Sequence, residues 1–224
     1  LDEGIYALVS RDASFEENLG SNRGFVIGTE AVLAVDSGYT PEHAGKMLQE
    51  IRKITDLPVK YLINTHYHPV NTWGNSIFRE SGSVIISRPE TAREMENSFP
   101  SYMQYYKNSN PRRYRDLKNI ELALPDSLMD SRKMTLDLGG REVILQYFGP
   151  AHTSGDCLVY VPASGIIFPG GLISNGYHPN LGDPGADYEN WRRVLKKLAE
   201  TERDYIVPGE GRICLKDQIE VENR

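Results

Sequence analysis

The chain has 224 residues, a formal net charge of −6 and 39% hydrophobic residues. It carries no basic run that would suit nucleic acid and no apolar stretch near the roughly 20 residues needed to cross a bilayer, so a small-molecule partner is expected. No Gly/Ser-rich or Pro-rich linker divides the sequence, and residues 1–224 are expected to form one layered α/β domain, in an oligomeric state the sequence does not encode.

The chain begins at Leu1 rather than methionine, which suggests a leader removed by processing or trimming and is compatible with export. Two cysteines, Cys157 and Cys214, leave the compartment open.

Apolar patterning predicts strands over 5–9, 24–28 and 32–36, the last running into Asp36-Ser37-Gly38. Asp36 either starts a turn or orients a metal ligand from behind. The helix that follows takes Thr40 as cap and Pro41 in its first turn, with Ala44, Met47, Leu48 and Ile51 on one face. His43 on that helix reads as solvated. The apolar run 59–63 reads as a buried strand and delivers Asn64-Thr65-His66-Tyr67-His68-Pro69-Val70-Asn71. Residues two apart in extended backbone point the same way, so His66 and His68 can converge on one point.

Beyond this loop a short helix is predicted over 73–80, a strand over 83–87 and a polar-aromatic helical region over 89–117. Tyr102, Tyr105, Tyr106 and Tyr114, with Lys107, Arg112 and Arg113, make that region either a lid or a packed pair of surface helices. The second half reads as strands over 134–138, 142–147, 157–161 and 165–168. A third histidine, His152, stands in Gly149-Pro150-Ala151-His152-Thr153-Ser154-Gly155-Asp156. A helix after Asp187 has Tyr188, Trp191, Val194, Leu195 and Leu198 as its apolar stripe, and 205–207 reads as the last strand. Cys157, inside an apolar strand, reads as a buried, inert thiol.

Taken together these segments resemble the metallo-β-lactamase superfamily of metallohydrolases. The family loop His-x-His-x-Asp-His appears as His66-Tyr67-His68-Pro69-Val70-Asn71, and the segment 149–156 matches the one that carries the third histidine. Phe168-Pro169-Gly170-Gly171-Leu172 fits Phe-x-Gly-Asp-Leu, and Val207-Pro208-Gly209-Glu210-Gly211 fits a turn with Pro-Gly-His-Gly. The opening hairpin, 22–28 followed by 32–38, fits as well. What the resemblance implies is a four-layer αββα sandwich, with His66, His68 and His152 as ligands of the first metal. The positions that would hold or bridge a second metal carry Val70, Asn71, Gly171 and Glu210.

The replacements fall on one site and spare the other, which points to a mononuclear three-histidine centre rather than undirected decay. Zinc is the expected ion; iron, another transition metal, or none are the alternatives. Three neutral ligands leave an ion enough charge to acidify water, so a hydrolase of an ester, lactone or related bond is expected. Glu210 is then a general base or a salt-bridge partner, Asn71 a donor to a reacting oxygen or a turn residue, and His178 a substrate contact. Val70 can neither bind metal nor hold water. The alternative is an impaired or inactive member retained to bind a metal or ligand. A mononuclear-iron persulfide dioxygenase would need a carboxylate where Gly171 stands, and β-lactam hydrolysis is not expected. Restoring all four replaced positions together is expected to return a second ion.

Overall fold

The computed structural model describes residues 1–10, 21–176, 180–200 and 205–215. Strands β1 (Ile5–Leu8), β2 (Arg23–Ile27) and β3 (Val32–Val35) form an antiparallel meander. Next to β3, strands β4 (Val59–Ile63), β5 (Val84–Ser87) and β6 (Ser127–Leu128) add in parallel, giving six strands in chain order. Parallel neighbours need crossovers, and helices supply them. Helix α1 (Pro41–Arg52) leads into β4; α2 (Pro69–Thr72) and α3 (Asn75–Glu80) lead into β5; α4 (Pro89–Ser109) and α5 (Pro111–Leu117) lie between β5 and β6. As expected, the Thr40 hydroxyl accepts from the His43 N–H at 3.2 Å and Pro41 occupies the first turn of α1.

The second sheet is antiparallel from β7 (Lys133–Asp137) through β8 (Glu142–Tyr147) and β9 (Cys157–Val161) to β10 (Ile166–Asn175), with β11 (Tyr205–Gly211) parallel to β10. The sheets face each other across one apolar layer, in which Val26, Leu33 and Ile63 meet Val143, Val159 and Phe168. On the outer face of the first sheet, Ala44, Met47 and Ile51 of α1 cover Phe25, Val32 and Leu62. On the outer face of the second, Trp191, Val194 and Leu198 of α6 (Tyr188–Ala199) cover Leu158, Ile167 and Ile206. The order of layers is helix, sheet, sheet, helix, the four-layer α/β sandwich expected. Among the described residues, no helix is long and apolar enough to cross a membrane.

Several local expectations need correction. Strands β10 and β11 run past their expected ends to Asn175 and Gly211, because Pro169-Gly170-Gly171 and Pro208-Gly209 look like turn signals but lie in paired strands with shifts of register. The short helix starts at Asn75, not Trp73, after a separate turn that opens at Pro69. Tyr188 leaves the apolar stripe of α6; it is exposed, with its hydroxyl bonded to the Leu181 carbonyl. His43 is half-buried, packed beside Gly38 and Arg23, and its Nδ1 is buried without a hydrogen-bond partner.

Candidate metal centre

Both loops that carry the three histidines open at the ends of strands, after β4 and after β8. Asn64, just beyond β4, is buried and exchanges two hydrogen bonds with Asn75 at 3.0 and 2.8 Å, which pins the loop to α3. The Thr65 carbonyl accepts from the Cys157 N–H at 2.8 Å, which joins the loop to the other sheet. Residues 65 and 66 form a bend rather than continuing the strand, so the extended-backbone argument for His66 and His68 fails. Their rings converge all the same. Centroid separations are 4.8 Å for His66 and His68, 5.1 Å for His66 and His152, and 4.9 Å for His68 and His152.

The hydrogen bonds around each ring decide which nitrogen faces inward. With Asp36 ionised, Thr65 Oγ1 donates its only proton to Asp36 Oδ2 at 2.8 Å, so at 3.0 Å from His66 Nδ1 it can only accept. His66 therefore carries its proton on Nδ1 and presents a bare Nε2. His68 Nε2 lies 3.0 Å from Asp183 Oδ2, which also accepts from the Tyr67 hydroxyl at 2.6 Å. Burial pushes the Asp183 carboxyl up, but hydrogen bonds from His68, Tyr67 and the Gly185 N–H outweigh it and hold the group below the ordinary carboxylate range. An ionised Asp183 requires the proton on His68 Nε2, so His68 presents Nδ1.

His152 Nε2 lies 3.2 Å from that Nδ1. Two nitrogens on one tetrahedral zinc, each about 2.0–2.1 Å from the ion, would sit about 3.3–3.4 Å apart. The ligand atoms of the three residues all fall within 4.8 Å of one another, which fits a single ion. Burial and the neighbouring imidazoles hold His66 well below its ordinary value, and burial with His68 pushes His152 down to about 4. Both stay neutral at physiological pH, as metal ligation requires.

Asp36 closes this network from behind. It is the only described residue other than glycine with positive φ, 59°, a conformation Asp tolerates better than most side chains. Its Oδ1 accepts from the Thr65 N–H at 2.8 Å, and its Oδ2 from Thr65 Oγ1 and from Asn71 Nδ2 at 2.9 Å. Asp36 thus reaches His66 through Thr65. Burial pushes its carboxyl up to about 7 despite these bonds and the nearby Arg23.

The replaced positions have new neighbours. The Asn71 amide is turned toward Asp36, leaving Oδ1 buried without a partner. Val70 packs against an aromatic cluster in which Trp73 meets Tyr39, Phe99, Tyr102 and Tyr106 at 5.5–6.1 Å. The polar-aromatic region is therefore packed at Tyr102 and Tyr106, while Tyr105 stays exposed. A side chain at Gly171 would begin 2.2 Å from His152 Cδ2. The ring of His152 fills the space that a side chain at 171 would enter. Glu210, on β11, is exposed and forms no ion pair or hydrogen bond with a described side chain. Partial burial raises its carboxyl from the ordinary value, with His68 pulling the other way. His178 lies outside the described residues.

Thr65, Asp183 and Trp191 are parts of the site that pattern reading passes over. Thr65 sits between two conspicuous residues, and Asp183, in Leu181-Gly182-Asp183-Pro184-Gly185, reads only as a turn. Trp191 reads as part of the core stripe of its helix, yet its ring also lies 5.2 Å from that of His152.

Residues 18–210 match the family model of the metallo-beta-lactamase superfamily, and the chain belongs to that superfamily. It is 21% identical to metallo-beta-lactamase IND-1 of Chryseobacterium indologenes over 84% of its own length and 71% of that protein's. A shorter stretch, 28% of the chain, is 37% identical to a linear primary-alkylsulfatase of a Pseudomonas species, of which it spans 13%. In structure it resembles a metallo-beta-lactamase from Pontibacter korlensis, with a TM-score of 0.70 and 22% identity over 90% of this chain and 84% of that one. A likeness at that identity speaks for the fold alone.

Proposed function

We propose that the protein is a mononuclear metal-dependent hydrolase of an ester, lactone or related bond, built on His66, His68 and His152. The observation that carries this reading is the convergence of three imidazoles whose inward nitrogens are freed by partners on the outer side, Thr65 for His66 and Asp183 for His68. A bound zinc, or iron in its place, supplies the positive charge that acidifies water and polarises a reacting oxygen. The chain's own residues do the remainder. Asp36 and Thr65 hold the His66 ring, Asp183 and Tyr67 hold His68, and such partners commonly decide metal affinity by about 10–100-fold. Glu210, at the position of a lost ligand and coupled to His68, is the group placed to accept a proton, and its raised pKa suits that task. Asn71 serves as a positioning residue through its bond to Asp36.

A second reading, an impaired member kept for metal or ligand binding, is favoured by one observation. The family's aspartate position holds Val70, packed into aromatic side chains, and a valine side chain has no atom that can hold a water. The test is elemental analysis of protein purified without added metal, followed by turnover of p-nitrophenyl acetate, a lactone, a β-lactam and, given the local similarity to an alkylsulfatase, an alkyl sulfate. About one ion per chain and a hydrolysis abolished by chelation and by His152→Ala are expected. Bound metal without turnover on any substrate would favour the second reading, and two ions per chain would refute the mononuclear one.

A further inference from the structure

Two of the three histidines are held by hydrogen bonds on their outer nitrogens. The third is not. The Asn180 backbone favours the charged form of His152, yet its buried Nδ1 has no partner in hydrogen-bonding geometry. Packing therefore contributes to holding this ring. Trp191 stands 5.2 Å away between centroids and is inclined by 58°. That indole is itself fixed, since its Nε1 donates to the Leu172 carbonyl at 2.9 Å. The bare backbone of Gly171, next to Leu172 on β10, also lies against this ring. A Cβ at residue 171 would meet His152 Cδ2 at 2.2 Å, Nε2 at 2.8 Å and Cγ at 3.1 Å.

We propose that Gly171 is the packing seat of His152, a positioning residue for the metal centre that also bars any ligand from projecting at its own position. Trp191 also packs against the ring, and the atom nearest the clash after Cδ2 is Nε2, the nitrogen offered to the metal. A methyl group at 171 would force a choice between the ring's inward orientation and the local backbone. The same contact makes one ion the limit: a carboxylate added at 171 evicts a first-site ligand before it can hold a second ion. This inference rests on the three-histidine reading for its metal consequence, though its steric core does not.

The test is a double-mutant cycle of Gly171→Ala and His152→Ala, with Gly45→Ala as a control, since a Cβ at Gly45 meets nothing within 4 Å. Stability of the metal-free proteins is measured by urea denaturation, and affinity for Zn(II) and Co(II) by competition with a chelator. Gly171→Ala alone is expected to lower stability and to weaken the first ion at least tenfold, while Gly171→Asp still takes up no more than one ion. In the His152→Ala background the stability loss from Gly171→Ala should largely vanish. If Gly171→Ala does not fold but the double variant does, the seat is supported. If neither folds, or the loss is the same in both backgrounds, the clash lies elsewhere and the proposal falls. Wild-type affinity in Gly171→Ala, or two ions in Gly171→Asp, would also overturn it. A wild-type protein that takes up no metal would sink the hydrolase reading while leaving the stability cycle to judge the seat.

Discussion

Asp36→Asn changes one atom and should reverse a proton elsewhere in the network. The carboxylate accepts three hydrogen bonds, from the Thr65 N–H, Thr65 Oγ1 and Asn71 Nδ2, at 2.8, 2.8 and 2.9 Å. Asparagine keeps the left-handed backbone at this position accessible and can keep its oxygen on the Thr65 N–H. Its new NH2 then faces Thr65 Oγ1 and Asn71. The Asn71 amide can turn over and offer the oxygen that now lacks a partner, which repairs one contact. Thr65 cannot repair the other without consequence. Once its hydroxyl accepts from the introduced amide, its proton points to His66 Nδ1, and His66 must move its own proton to Nε2, the nitrogen a metal needs.

The stability loss should therefore be modest, about 1–3 kcal/mol for a partly repaired buried network that also loses its charge opposite Arg23. The loss of metal affinity should be larger than this implies, about 10–100-fold. Measurement belongs at pH 8, above the Asp36 pKa of about 7. Imidazole 15N shifts report the His66 tautomer, chelator competition the affinity, and urea denaturation the stability. Wild-type affinity with an unchanged His66 tautomer would refute the relay from Asp36 through Thr65.

Asp183→Asn should weaken metal binding about 10–100-fold by releasing His68 Nε2, with Tyr67→Phe causing a smaller loss; equal affinity in all three proteins would remove Asp183 from the centre. Buried Asp156 is pushed up to about 7, so the folded chain binds its proton more tightly than the unfolded chain does. Its contribution is present in full below about pH 4 and is withdrawn as pH rises through 7, by up to about 4 kcal/mol. Metal-free wild type should accordingly lose stability relative to Asp156→Asn across that window, and parallel curves would contradict it. Burial raises the Cys157 thiol to about 12, so in a Cys214→Ser background it should resist Ellman's reagent at pH 8 until guanidinium unfolds the chain; rapid labelling of the folded protein would show that the strand opens.

Much of the fold was legible because burial imposes period. The strands at 59–63, 142–147 and 157–161 and the cap at Thr40 appear where patterning places them. The two-residue strand β6 gives too little sequence to carry a period, and its pairing with β5 is set by Asp126, whose carboxylate accepts from the Ile85 N–H at 2.9 Å. The extensions of β10 and β11 were hidden by glycines that serve close approach rather than turning: a Cβ at Gly170 would meet Thr65 Oγ1 at 2.3 Å, and one at Gly209 the Gly170 carbonyl oxygen at 2.4 Å. Ligand identity is a property of residue type and could be read; what orients a ligand depends on contacts between distant segments. Asp183 stands 115 residues from His68, and neither residue signals the other in the sequence.

Val70, Asn71 and Gly171 all make contacts around the three imidazoles. Asn71 binds the carboxylate that directs Thr65 to His66, and its carbonyl accepts from the Ser37 N–H at 2.7 Å, tying the histidine loop to the end of β3. Val70 anchors the same loop on the cluster around Trp73, while its carbonyl accepts from Ser21 at 2.9 Å. Gly171 leaves room for the ring of His152. Such coupling explains why reversion at one position should fail where coordinated repacking could succeed: Gly171→Asp evicts His152, and Asn71→His removes a donor from Asp36. Glu210 stands apart from these contacts, exposed and without a hydrogen bond to a described side chain, and reaches the histidines only through its charge beside His68.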